Sequence, residues 1–296
     1  MVKVGFVGLG SMGLPMARNL VARGLQVRGY DMRQTALDAL TEAGGEAAPS
    51  AAETARGVDA LVLMVVNAAQ AEAVLFEHGA LEALSAGGIV LLMATCPPGA
   101  VEAIAARVLA AGRRFVDAPV SGGVVGAVGG TLTIMAAAPR ETFDAARPVL
   151  DAVGDKIFHV GERPGQGAVV KSVNQLLCGV HIAVVAEAFS LAAKVGVDLR
   201  VVLDILSGSS ASSWMLKDRG PRMLQVDPEV TSAVDIFVKD LGIVLEAGRD
   251  AKAALPLAAV AHQMFLAISG RGHGAEDDSQ VIRTYHAMNG TVAPSR

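Results

Sequence analysis

Val2-Lys3-Val4-Gly5-Phe6-Val7-Gly8-Leu9-Gly10-Ser11-Met12-Gly13-Leu14 is the stretch whose reading decides the fold. Its first six residues read as a short apolar strand, and residues 14–23 carry a helical pattern. Between them the glycines fall in the G-x-G-x-x-G spacing, so strand, glycine turn and helix start follow in the order of a dinucleotide-binding unit. Gly8 permits the tight turn, Gly10 lets backbone approach a pyrophosphate, and Gly13 lets the helix pack against the strand. The first helical turn would offer N–H groups and a positive dipole end to the phosphates. Gly8, Leu9, Gly10, Ser11, Met12 and Gly13 are therefore the expected cofactor cradle.

Working outward, Gly24 is a natural helix stop, and Gln26-Val27-Arg28-Gly29-Tyr30-Asp31 reads as a second strand ending in an acid. Asp31 falls near the spacing, about 20 residues beyond the glycine turn, at which a carboxylate accepts hydrogen bonds from the adenosine ribose. The same charge repels a 2′-phosphate, which favours NAD over NADP. Arg33, two positions on, tempers that preference because it could accommodate the phosphate.

Strand and helix signals then alternate. Asp59 to Val66, Gly88 to Met93, Arg114 to Asp117, Leu132 to Ala136 and Lys156 to Val160 read as strands, and Pro97-Pro98 opens a helix. Near-continuous apolar strands between helices predict a parallel sheet covered on both faces. Around Gly161 to Gly167 the texture changes, and only helical periodicity follows: residues 168–194, 199–206, 234–251 and 255–269. The expected fold is α/β, with a Rossmann domain over residues 1–163 and an all-helical domain for substrate and oligomerisation over residues 164–296.

The chain has 296 residues, enough for two domains, and is 52% hydrophobic with only 18% charged, so it can bury a large core. A net charge of −4 and the absence of a basic run argue against a nucleic-acid partner. Cys96 and Cys178 lack metal spacing and read as reduced thiols. No cleavable signal fits a terminus that is itself a strand. Leu176 to Val197, interrupted by His181, Glu187 and Lys194, reads as a buried helix rather than a membrane span. The expected location is cytoplasmic.

Three stretches could carry chemistry at the carboxyl edge of the sheet, where such folds bind ligands. In Asp117-Ala118-Pro119-Val120-Ser121-Gly122-Gly123 a strand end meets a glycine-rich loop that continues through Gly126, Gly129 and Gly130. Its backbone N–H groups and the Ser121 hydroxyl suit a carboxylate, although a mobile turn would have the same composition. In Lys171-Ser172-Val173-Asn174-Gln175 the lysine and asparagine share a helix face. A lysine among valines is expected to be desolvated, which lowers its pKa towards that of a general acid/base. Lys239-Asp240 by itself reads as an ordinary exposed charge pair. The six histidines lack ligand spacing and Ser121 has no nucleophile-elbow pattern, so neither a metal nor a triad is expected. The acidic run Gly272 to Asp278 reads as a loop before a final helix.

Taken together, Gly8 to Gly13, Asp117 to Gly123, Gly165-Gln166-Gly167 with Lys171 and Asn174, and Lys239-Asp240 resemble, in content and order, the β-hydroxyacid dehydrogenases. That family includes 3-hydroxyisobutyrate dehydrogenase and tartronate semialdehyde reductase. The resemblance spans essentially the whole chain. It implies that Lys171 is the catalytic acid/base, that Asn174 orients the substrate, and that Ser121, Gly122 and Gly123 hold its carboxylate. It also implies that Met64, Val65, Thr95 and Lys239 lie with Asp31 along the cofactor. Within the family, Ser232 to Asp240 and Gly272 to Ser279 look most like the L-threonate dehydrogenases, which oxidise a four-carbon sugar acid. Many relatives carry an aromatic ring where this chain has Ser232, and a hydroxyl there suits a polyhydroxylated substrate. Leu92 and Ala94 depart from the acid and serine that relatives often place before the threonine.

The expectation is thus an NAD-dependent dehydrogenase of a small hydroxy acid. The alternatives are 3-hydroxyisobutyrate or tartronate semialdehyde as substrate, an imine reductase, which usually replaces the lysine, or a non-catalytic scaffold, which typically loses it. Alanine- and leucine-rich helices after residue 164 suggest a homodimer or homotetramer.

Overall fold

The computed structural model describes residues 2–291 and divides the chain after Lys171 into two compact units. In the first, β1 (Lys3–Val7), α1 (Gly13–Ala22), β2 (Gln26–Tyr30), α2 (Gln34–Glu42), β3 (Glu46–Ala47), α3 (Ala51–Ala55) and β4 (Ala60–Leu63) come in succession. There follow α4 (Ala68–Glu72), α5 (Ala80–Ala83), β5 (Ile89–Leu92), α6 (Pro98–Ala110) and β6 (Arg114–Asp117). The unit continues with β7 (Val120–Ser121), α7 (Gly123–Gly129), β8 (Leu132–Ala137), α8 (Arg140–Val153) and β9 (Gly154–Gly161).

The strands lie in the order β3-β2-β1-β4-β5-β6-β8-β7, with β9 also on β8. From β3 to β6 every pairing is parallel, and order reverses about β1 in the manner of a doubly wound sheet. The expectation of a parallel sheet throughout is corrected at the far edge, where β8 runs antiparallel to β6 and β7. β6 and β7 run in the same direction along β8 in one register, with Asp117 opposite Ala137, Val120 opposite Ile134 and Ser121 opposite Thr133; the chain turns back through α7 and returns as β8 beside the strand it has just left.

Alternation along the strands feeds two cores. Val4, Phe6, Val62 and Leu91 face one layer, built on α1, α2 and α8; Val7, Leu61, Leu63, Val90 and Leu92 face the other, built on α3, α5 and α6. Burial on both faces explains why these strands read as continuous apolar runs.

One element departs from the sequence reading. The glycine-rich run after Ser121 forms α7 rather than an open loop. Ala127 is fully buried and its carbonyl accepts from Asn19 Nδ2 of α1 at 2.7 Å, so packing overrides the poor helix propensity of glycine.

The second unit is helical: most of α9 (Gln166–Lys194), then α10 (Leu199–Gly208), α11 (Trp214–Met223), α12 (Val234–Asp250), α13 (Pro256–Ile268) and α14 (Ile282–Asn289). Asp198 and Ser213 cap α10 and α11. Ile182, Ala186, Phe189, Phe237, Leu241 and Phe265 are among its core residues. By length and composition α9 could cross a membrane, but one of its faces is packed into this core.

Candidate active site

Parallel register aligns the carboxyl ends of five strands. Tyr30 pairs with Val7, Val7 with Leu63, Leu63 with Leu92, and Leu92 with Asp117. The segments that leave this edge carry Asp31, the Gly8–Gly13 turn, Met64 and Val65, Thr95, and the Ser121–Gly123 stretch. One sheet edge therefore collects every site residue expected from the first unit apart from Lys171, which arrives on α9.

The glycine turn is tight. Gly8 has φ of +92°, and a Cβ there would lie 2.4 Å from the Met64 carbonyl oxygen. A Cβ on Gly13 would lie 1.9 Å from the Gly8 carbonyl oxygen, so helix and turn close only with glycine at that position. Around Gly10 the space is open: its nearest neighbour to an added Cβ is the Arg33 guanidinium at 3.9 Å. The turn thus leaves room for a pyrophosphate at the place where the motif requires it.

Asp31 accepts from the Leu9 amide at 2.8 Å and from Arg33 through its amide and Nε, both at 2.9 Å. Burial pushes this carboxyl up, but the Arg33 guanidinium and the Arg33 and Leu9 amides outweigh it and hold Asp31 below its ordinary range. Asp31 is therefore ionised and fixed against the glycine turn. Arg33 also reaches the Leu9 carbonyl at 3.0 Å, so the charge that could meet a 2′-phosphate is folded back onto Asp31.

Asp117 is a residue whose role the sequence did not reveal. It is 1% exposed, and its Oδ2 accepts from the amides of Gly165 and Ala168, both at 3.0 Å. The Gly167 amide also bonds to this carboxyl. The carboxylate of β6 thus caps the start of α9 from across the fold and fixes the turn that carries Lys171. Burial raises its carboxyl to about 6 against the pull of the three amides. Lys171 is itself 7% exposed, as expected, but the flanking valines are not what buries it: Val169, Val170 and Val173 are exposed.

In the second unit the structure corrects the reading of Lys239-Asp240 as an exposed pair. Asp240 is 3% exposed, its Oδ1 is 2.9 Å from Lys239 Nζ, and its Oδ2 accepts from Gln175 Nε2. Gln175 Oε1 in turn accepts from Asn174 Nδ2 at 2.8 Å. A chain Lys239–Asp240–Gln175–Asn174, buried at Asp240 and Gln175, therefore sets the orientation of the Asn174 amide. Gln175 was missed because glutamine on a helix is ordinarily exposed; its place one residue after Asn174 was the available signal.

Ser232 precedes α12 and is half-buried. Its carbonyl accepts from the Asp278 amide at 2.7 Å, and its hydroxyl bonds to the Asp278 carboxylate. The acidic run 272–278 is a loop only over residues 274–277: Gly272 and His273 end a π-helical turn and Asp278 opens a short 3-10 helix before α14. The described residues contain no group of metal-ligand candidates. The acids of the run meet arginines instead: Asp278 pairs with Arg219, Asp277 with Arg222, and Glu276 with Arg283.

Residues 3–161 match the family described as the NAD binding domain of 6-phosphogluconate dehydrogenase, and residues 165–285 match the NAD-binding of NADP-dependent 3-hydroxyisobutyrate dehydrogenase. The chain is 44% identical to an L-threonate dehydrogenase of Cupriavidus necator over 95% of both chains. It is 32% identical to an NAD-dependent L-serine dehydrogenase of Pseudomonas aeruginosa over 98% of this chain and all of that one. A crystal structure of 3-hydroxyisobutyrate dehydrogenase from Salmonella typhimurium superposes with a TM-score of 0.91, at 43% identity, covering 96% of this chain and 99% of that one.

Proposed function

The chain belongs to the β-hydroxyacid dehydrogenase family, as an NAD-dependent oxidoreductase of a small hydroxy acid, and from that premise we propose that its substrate is a four-carbon sugar acid such as L-threonate. The observation that carries this reading is the 44% identity to an L-threonate dehydrogenase along 95% of the chain, with Ser232 offering a hydroxyl to a polyhydroxylated substrate.

In this reading the residues divide into a cofactor domain, residues 1–163, and a substrate domain, residues 164–296. Gly8 to Gly13 hold the pyrophosphate, Asp31 the ribose, and Met64, Val65, Thr95 and Lys239 line the rest of the cofactor. Bound NAD supplies the hydride acceptor. Ser121 and the backbone of Gly122 and Gly123 hold the substrate carboxylate, which fixes the reacting carbon. Lys171 takes the proton of the hydroxyl being oxidised, directly or through one water. Asn174, its amide set by Gln175, orients the substrate hydroxyl.

The protein works in the cytoplasm as a homodimer or homotetramer, which would cover Val184, Leu191, Val201 and Ile205, apolar side chains that the isolated chain leaves exposed.

The test is NADH formation on a panel of three- and four-carbon hydroxy acids with NAD and NADP. L-threonate is expected to give the highest kcat/KM; preference for 3-hydroxyisobutyrate or glycerate would replace the substrate assignment. Lys171→Ala is expected to retain NAD binding by fluorescence titration and lose turnover by at least about a thousandfold. Undiminished turnover would remove Lys171 from its role.

A further inference from the structure

Ser232 does not stand alone: this half-buried serine is bonded through its hydroxyl to a buried carboxylate–guanidinium pair. Asp278 is fully buried, and Arg219 meets it with two bonds, Nε to Oδ1 at 2.9 Å and Nη2 to Oδ2 at 2.8 Å. Arg219 is 7% exposed and is shared with Asp218. Neighbouring contacts hold the same segment from both sides. Val234 N donates to the Glu276 carbonyl at 2.8 Å, and Arg222 Nη1 and the Thr231 amide reach Asp277 Oδ2 at 2.8 and 3.1 Å. Ser232 is thus fixed in backbone position, with its hydroxyl bonded to a carboxylate that is itself clamped.

The chemistry of that bond determines what Ser232 can offer. Burial and the neighbouring Asp277 charge push the Asp278 carboxyl up, and the Arg219 guanidinium pulls it down; with both of its oxygens accepting from that one guanidinium, Asp278 pairs as a carboxylate, which only accepts. The shared proton is therefore the serine's. A serine hydroxyl has one proton and two lone pairs, so with the proton committed to Asp278 the oxygen can only accept from anything else.

We propose that Ser232 is a hydrogen-bond acceptor for a second hydroxyl of the substrate, one not oxidised, and that Asp278 and Arg219 are the positioning residues that impose this polarity. The inference rests on the reading above in which Ser232 meets the substrate. It defines the ligand class by chemistry. A hydroxyl or ammonium on the chain beyond the reacting carbon is accepted. A methyl leaves the oxygen unpaired, and a carbonyl or carboxylate oxygen meets lone pair with lone pair.

The test uses the purified enzyme with NAD and four substrates: L-threonate, 2,3-dihydroxybutanoate, 2,4-dihydroxybutanoate, and the analogue bearing an amino group in place of whichever hydroxyl proves important. In the wild type, loss of one of the two further hydroxyls is expected to lower kcat/KM by roughly tenfold or more, with the amino analogue staying above that deoxy compound. Ser232→Ala should bring L-threonate and the amino analogue down to the deoxy level and leave the deoxy compound within about threefold. Asp278→Asn should raise KM for L-threonate and spare the deoxy compound; if that variant does not fold, the Ser232→Ala series still decides. A Ser232→Ala variant that scales all substrates equally, or a wild type that treats the amino and deoxy analogues alike, overturns the inference while leaving the dehydrogenase in place. Absence of turnover on every hydroxy acid overturns the reading beneath it and this inference with it.

Discussion

Asp117 provides a demanding test because its burial and its hydrogen bonds oppose each other. Burial raises its carboxyl from 3.8 to about 6, although three amides at the start of α9 bond to it. A shift of about two units is worth about 3 kcal/mol between the two protonation states. The sign follows from linkage. The folded state binds the proton more tightly than the unfolded chain, so the contribution is fully present below the unfolded value of 3.8 and is lost as pH rises through about 6. Between about pH 4.5 and 7.5 the wild type should lose about 2 kcal/mol from this residue alone.

Asp117→Asn keeps a carbonyl acceptor for the amides and removes the titration. The difference in unfolding free energy between wild type and Asp117→Asn, from urea denaturation at the two pH values, should therefore move by about 2 kcal/mol against the wild type as pH rises. Other groups cancel in the difference. Asp117→Ala has no acceptor, strands buried amides at the helix start, and should cost roughly 3–5 kcal/mol at both pH values. A wild-type-to-Asn difference that does not change with pH, or that moves the other way, would refute the argument that a costly ionised cap holds α9.

Two further outcomes are expected. Asp31→Ala removes the acceptor for the Leu9 amide and releases Arg33, so the ratio of kcat/KM with NAD to that with NADP should fall by about tenfold or more, measured with saturating substrate. Arg219→Ala leaves Asp278 buried without its countercharge and should lower stability by about 3–5 kcal/mol by thermal or urea denaturation, whereas Arg219→Met with Asp278→Leu should recover most of that loss and abolish the discrimination at Ser232.

The first half of the fold could be read from sequence because its signals are local. Strand β1, the glycine turn and α1 are contiguous, and doubly buried strands are apolar along their whole length. The antiparallel far edge could not be read in the same way, because β8 pairs with β6 and β7 only after the chain reverses through the glycine-rich α7 segment, which has no strand or helix periodicity to announce it. The α7 helix was hidden for a different reason. Glycines predict a loop by propensity, and only the Asn19 contact and the burial of Ala127 overturn that. Among candidate site residues, those with a chemical signature stood out: glycines at fixed spacing, an acid at a strand end, a lysine among valines. The residues that orient them did not. Gln175, Asp278 and Arg219 look like ordinary polar residues until a partner far along the chain is placed beside them.

The buried charges explain why that second group matters. Among the described residues, Asp117, Lys171, Arg219, Asp240, Asp277 and Asp278 are all under 9% exposed. Each gives up hydration worth several kcal/mol, and a paired buried ion often contributes no more stability than an apolar side chain of the same volume. A fold selected for stability alone has little reason to keep six of them. Every one lies in a segment that the proposed chemistry uses, or is bonded to one: Asp117 caps the helix of Lys171, Asp240 anchors Gln175 beside Asn174, Asp277 pins Thr231, and Asp278 with Arg219 fixes Ser232. What the charges supply is direction. An apolar contact could hold these segments in place, but only a carboxylate or a guanidinium determines which way a neighbouring amide or hydroxyl must point, and a dehydrogenase that distinguishes among hydroxyl groups depends on that determination.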